Sequence, residues 1–105
     1  MKRCEVWWAN LPQPAGRRPV VLLSRDEAYA VRALVTVAPV TTRIRRIPAE
    51  VALGPEDGLP KVCVVNLDSI VTIPKADLDE PIALLRPEKA RQVETAIRFA
   101  FGMGD

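Results

Sequence analysis

Six short runs of strand-forming residues follow one another through turns rich in Gly and Pro, and a helical period arises only at the C-terminus. That order restricts the possible folds more than any other feature. Cys4–Ala9 is aromatic and β-branched around Trp7 and Trp8, and Leu11–Gly16 breaks it with two Pro and a Gly. Pro19–Ser24 is a continuous apolar run of the kind found in buried strands. Leu34–Val40 follows, with Pro39 predicting an edge or a bulge. Glu50–Leu53 is a short strand, Gly54–Gly58 a turn, and Val62–Leu67 and Ile70–Ile73 read as two strands or one strand with a bulge. Between the second and third runs, Arg25–Val31 can hold a helical turn. Strands this short, without crossover helices between them, predict a curled antiparallel sheet or small barrel rather than a βαβ layout.

The last segment differs. Pro87 suits a first helical turn, and Glu88 adds a carboxylate near the positive end of the helix dipole. Ala90, Val93, Ala96, Ile97, Ala100 and Phe101 recur at three- and four-residue steps, so one face is apolar, and Gly102 and Gly104 stop the helix. This helix is expected to pack on the sheet or on a second subunit. The class is therefore α+β and mainly β. At 105 residues the chain reads as a single domain, residues 1–105, able to bury one core without disulfides or metal. Its apolar runs stop well short of the roughly 18 residues that span a bilayer. The N-terminus lacks the apolar region of an export signal. A soluble, cytoplasmic protein is expected, with no membrane partner and with Cys4 and Cys63 reduced and buried.

The chain contains no His. That excludes Ser-His-Asp and Cys-His catalysis and imidazole zinc ligation, and two Cys cannot form a tetrathiolate zinc site. No metal and no other cofactor is expected. The net charge of +2 hides an asymmetry. Residues 16–46 hold seven Arg against Asp26 and Glu27, a net of +5, whereas residues 47–105 hold six basic and ten acidic side chains, a net of −4. The planar fork of Arg suits phosphate and stacks on bases. On one face, these arginines would bind a polyanion.

RNA cleavage suits such a composition. The substrate's own 2′-hydroxyl can attack the neighbouring phosphodiester, so the protein must align the groups, handle one proton and stabilise charge on phosphorus. Gly16-Arg17-Arg18-Pro19, at the mouth of one strand, and Val40-Thr41-Thr42-Arg43, at the end of another, supply the cations and hydroxyls. Arg43, Arg45 and Arg46, in the following loop, suit phosphate contacts along single-stranded RNA. Trp7 and Trp8 point to opposite faces of their strand and read as core or dimer packing. Asp77-Leu78-Asp79-Glu80 reads as a solvated turn or helix start. The same basic face also fits a non-catalytic small-barrel module that binds nucleic acid.

In order along the chain, Glu5-Val-Trp-Trp, Gly16-Arg-Arg-Pro-Val-Val-Leu-Leu-Ser24, Val37-Ala-Pro-Val-Thr-Thr42, Pro48-Ala-Glu-Val, Val65-Asn-Leu-Asp68 and Thr72-Ile-Pro74 precede the amphipathic helix. Together these segments resemble the MazF/PemK-like toxins of bacterial toxin–antitoxin pairs, from about Arg3 to Gly102. The resemblance implies a dimeric, SH3-barrel-like antiparallel sheet with a C-terminal α-helix. It also implies a metal-independent, sequence-specific endoribonuclease that cuts single-stranded mRNA to leave a 2′,3′-cyclic phosphate and a 5′-hydroxyl. The implied partners are single-stranded RNA, a second copy of the chain, and a cognate antitoxin whose acidic C-terminal tail occupies the RNA groove.

Carried over residue by residue, the catalytic Arg is Arg18 and the Thr that closes the third strand is Thr41. Asp68 matches an Asp that acts in one branch of the family. That branch has Arg where this chain has Asn66, and many members have Gln where this chain has Ser69. Arg17, Ser24, Thr42, Arg43, Arg45, Arg46, Asn66 and Ser69 are the candidate RNA contacts. A guanidinium is a poor general base at neutral pH, so Arg18 is expected to stabilise the phosphorane. Asp68, water and Arg18 all stand as acceptors of the 2′-proton.

Overall fold

Both faces of the second strand are buried, and the rest of the architecture wraps around it. The computed structural model describes residues 1–104. β1 (Glu5–Asn10) turns back into β2 (Arg17–Leu22), a single helical turn α1 (Ala28–Val31) follows, and β3 (Leu34–Thr41) comes next. β4 (Glu50–Leu53), β5 (Cys63–Asn66), β6 (Val71–Pro74), β7 (Leu78–Leu84) and α2 (Pro87–Ala100) complete the chain. In β2, Val21 packs with Val6, Ala38 and Val40, whereas Val20 and Leu22 pack with Ala9, Val35 and Val37. Alternate residues of a strand face opposite ways. The unbroken apolar run of β2 thus serves two cores, one on each side of the curled sheet.

The seven strands form one antiparallel sheet in the order β4-β5-β3-β2-β1-β7, with β6 also on β3. β3 holds this together by changing partner along one flank: Leu34–Val37 pair with β6, and Val40 and Thr41 pair with β5. Ala38 and Pro39 have no ladder partner on that flank, so a residue without an N–H sits where the ladder is interrupted. Pro39 predicts an edge or a bulge, yet β3 is central. The proline marks the junction at which the sheet folds over on itself. A one-turn 3-10 helix (Leu67–Ser69) separates β5 from β6, so the expected pair of strands is two rather than one with a bulge.

The acidic run is where the structure departs most from expectation. Lys75–Asp77 forms a 3-10 turn, but Leu78–Leu84 is neither a turn nor a helix start. It is an edge strand on β1, bulged twice, with Trp7 facing Pro81 and Ala9 facing Leu78. Only Leu78 in it is buried. The C-terminal helix lies against the sheet, where Val93 and Ala96 join Val51, Leu53 and Leu67 in the first core. Cys4 and Cys63 are free and buried in that core. Among the described residues, no helix is long and apolar enough to cross a membrane.

Candidate active site

β2 extends two residues further toward its N-terminus than the apolar run alone suggests. Arg17 and Arg18 belong to it, facing Asn10 and Ala9 of β1. The arginines thus sit on a paired strand rather than in the loop before it. β2 and β3 pair from Leu22–Val37 to Val20–Pro39. Beyond that last pair, Arg18 continues along β2 opposite Ala9 of β1, and Thr41 continues along β3 opposite Val64 of β5. Each is two residues from a member of the Val20–Pro39 pair, so each projects from the same side of its own strand as that pair. Both candidates thus stand at strand ends just past the β2–β3 ladder.

The guanidinium of Arg18 is oriented by the hairpin before it. Its Nε donates to the Ala15 carbonyl at 2.9 Å. The hairpin loop is closed by Leu11 N–H on the Gly16 carbonyl at 3.1 Å, with Gly16 in the left-handed region at φ +64. One edge of the fork is therefore fixed. Among the described residues the two terminal nitrogens have no hydrogen-bond or ion-pair partner. Thr41 Oγ1 accepts the Arg43 N–H at 3.1 Å, which leaves its hydroxyl proton free to donate.

Arg17 is in the opposite situation. Its Nε and Nη2 donate to Asp79 Oδ2 at 3.2 and 2.9 Å, Nη2 reaches Glu80 Oε1 at 3.3 Å, and its guanidinium carbon lies 4.5 Å from the centre of the Trp8 ring. A residue expected to contact RNA is thus occupied by two carboxylates of β7. Trp8, expected to be core or dimer packing, is half-buried beneath it. Between Trp8, Pro19, Thr41 and Thr42 on one side and Leu59, Pro60 and Lys61 on the other lies a cavity of about 200 Å³.

The loop after Thr41 is built for exposure. Glu50, the first residue of β4, accepts the N–H groups of Arg45 and Arg46 on one oxygen at 3.0 and 2.9 Å, and Arg46 is left-handed at φ +58. This carboxylate holds the backbone, so the side chains of Arg43, Arg45 and Arg46 point outward. Among the described residues they have no ion-pair partner. Nothing local in the sequence singles out Glu50 for this task, because its partners are defined only once the loop is folded.

The remaining candidates stand apart. Ser24 lies two residues past the opposite end of β2 from Arg18, and its Oγ accepts the Thr36 N–H at 2.9 Å. Asn66 ends β5, and Asp68 and Ser69 lie on the following turn, which packs against α2 and β3. Asn66 Oδ1 accepts the Asp68 N–H at 2.8 Å, which closes that turn. Cys63 lines the cavity, but burial, with Asp57 and Glu56 nearby, raises its thiol above the usual range. It is a neutral wall, not a nucleophile. Among the described residues, no three His, Cys, Asp or Glu side chains converge.

Known proteins show similar sequences and the same fold. The family model described as PemK-like, MazF-like toxin of type II toxin-antitoxin system matches residues 2–101. A probable endoribonuclease MazF5 of Mycobacterium tuberculosis is 41% identical over 99 residues, which is 93% of this chain and 90% of that protein. The M. tuberculosis toxin MazF-mt6 superposes with a TM-score of 0.87 at 34% identity, covering 93% of this chain and 96% of that one. An endoribonuclease in complex with its cognate antitoxin, from a mycobacterial species, superposes with a TM-score of 0.90 at 30% identity over 100% of this chain and 98% of that one.

Proposed function

The chain belongs to the PemK-like, MazF-like toxin family of type II toxin–antitoxin systems, and on that premise we propose that it is an endoribonuclease that cuts single-stranded RNA at Arg18 and Thr41 without a metal ion. The observation that carries this reading is the state of the two side chains just past the β2–β3 ladder: Arg18 is an oriented guanidinium with an open edge, and Thr41 is a hydroxyl free to donate.

The chemistry follows from what the pair lacks as much as from what it has. It offers no nucleophile, so the RNA supplies one. The 2′-oxygen attacks the adjacent phosphorus, the O2′–P bond forms, and the P–O5′ bond breaks. The products are a 2′,3′-cyclic phosphate and a 5′-hydroxyl. The terminal nitrogens of Arg18 bind the non-bridging oxygens as charge builds on them, and Thr41 donates to one of them. A protonated guanidinium cannot accept a proton, so the 2′-proton passes to water or to Asp68. The departing O5′ takes a proton from Arg18 or from water. Asp68 lies on the turn after β5, which packs against both α2 and β3.

Arg43, Arg45 and Arg46 track the phosphates on either side of the cut. The same unpaired cations are the surface on which a cognate antitoxin with an acidic tail would compete with RNA. In this reading the active species is a cytoplasmic homodimer of single-domain subunits. Incubation with single-stranded RNA in EDTA tests the proposal. Cleavage is expected to proceed, a single 2′-deoxy substitution at the cut is expected to abolish it, and Arg18→Ala is expected to lose it with the fold intact. Binding without cutting would favour a non-catalytic module, and arrest by EDTA a metal-dependent nuclease.

A further inference from the structure

We propose that Glu50 is a positioning residue for Thr41 and acts on it through the backbone of the loop that joins them. This inference rests on the RNA-cutting reading above and adds to it what directs the Thr41 hydroxyl. Residues 42–46 are all exposed, so side-chain packing holds none of them. Among the described residues, 43–46 form no hydrogen bond with another backbone group. Two side-chain oxygens hold them instead. Thr41 Oγ1 takes the N–H of Arg43 at one end, and Glu50 Oε1 takes those of Arg45 and Arg46 at the other.

The two ends are unequal. Glu50 is paired with Asn66 in the β4–β5 ladder and is followed by Val51 of the first core, so its backbone is fixed. Its Oε1 gathers two successive N–H groups, the arrangement of an anion-binding nest, and a charged acceptor binds each more strongly than a neutral one does. These bonds keep Arg46 left-handed at φ +58, a conformation that an L side chain adopts only at a cost. Oε2 is buried without a hydrogen-bond partner among the described residues, so Glu50 acts through Oε1 alone. Thr41 contributes one neutral bond. The carboxylate is therefore the anchor and the hydroxyl the dependent end. While the anchor holds, the Arg43 N–H occupies one lone pair of Thr41 Oγ1, which fixes the side chain and turns its proton away from the loop. Once the anchor is lost, the exposed loop frays and Thr41 passes between staggered rotamers.

Two measurements on the full chain test this. Single-turnover cleavage of single-stranded RNA at saturating protein reads the chemical step apart from binding. Glu50→Ala is expected to slow it by about tenfold, the scale of one hydrogen bond to a charged group, and Glu50→Gln, which keeps a carbonyl acceptor, to recover most of that loss. In a Thr41→Ala background the same Glu50→Ala change is expected to cost no more than about twofold, because the group it positions is gone. An equal loss in both backgrounds overturns the proposal, since Glu50 would then act on stability or on the loop cations. An unchanged rate in Glu50→Ala overturns it as well. Amide hydrogen exchange needs no substrate. The Arg43 amide is expected to exchange about fivefold faster in Glu50→Ala, although its own acceptor on Thr41 is intact. Faster exchange confined to Arg45 and Arg46 overturns the proposal. An Arg43 amide that responds to Glu50 in a chain that cuts nothing would overturn the nuclease reading and leave the coupling standing.

Discussion

The Ala15 carbonyl takes one N–H of Arg18 and leaves the far edge of its fork open, while the neighbouring Arg17 gives three hydrogen bonds to Asp79 and Glu80. Adjacent residues of one type thus have different chemistry, and the difference lies in partners more than sixty positions away. Replacing Arg18 by Lys keeps the charge but loses the planar fork. Arg18→Lys is therefore expected to lower kcat by about 10²–10³-fold, the scale of one lost transition-state donor, with the thermal midpoint unchanged. Recovery of wild-type turnover would remove Arg18 from the chemistry. A second outcome belongs to the buried acids. Burial raises the thiols of Cys4 and Cys63 and pushes the Tyr29 phenol up to about 12. The open chain ionises first, thiols near pH 8.5 and phenol near 10. Their contribution to stability is thus complete below about pH 8 and is lost as pH rises toward 12. The urea midpoint is expected to hold from pH 6 to 8 and to fall by pH 11. A midpoint that is level across that range would mean these groups are hydrated in the fold.

At the scale of elements, β7 depends on a contact that no run of sequence announces. Gly58 stands at φ +90, and a Cβ built on it would lie 2.8 Å from the Ala83 Cβ of β7. Gly58→Ala combines left-handed strain with overpacking and is expected to cost more than about 2 kcal/mol. Adding Ala83→Gly removes the overlap but not the strain, so the double variant should recover only part of the loss in a chemical denaturation series. This strand also marks the limit of what the sequence makes legible. β2, β3, β4 and α2 stand out because their apolar spacing matches a fully or half-buried element. β7 does not: two bulges break its period, Pro81 interrupts it, and its acids face Arg17 rather than a core. Arg18 and Thr41 were legible as candidates from their strand-end motifs. That both stand just past the end of the β2–β3 ladder is a property of register, which the residues between them set only jointly.

Across the whole molecule, the asymmetry of charge becomes a division of labour. The acidic second part of the chain lends Asp79 and Glu80 to Arg17, whereas Arg18, Arg43, Arg45 and Arg46 have no ion-pair partner among the described residues. Each cation that neutralises a phosphate of single-stranded RNA adds about 0.7 to the slope of log K against log salt. Removing three such cations together, as Arg43→Ala, Arg45→Ala and Arg46→Ala, is expected to flatten that slope by about 2. The measurement is a salt titration of binding to an oligonucleotide made uncleavable by 2′-deoxy substitution. Arg25→Ala with Arg32→Ala is the matched control, since both lie beside Ser24 at the other end of β2. If the control flattens the slope and the loop variant does not, the RNA runs over the Ser24 end of the sheet. The loop that Glu50 holds open would then serve something other than the substrate.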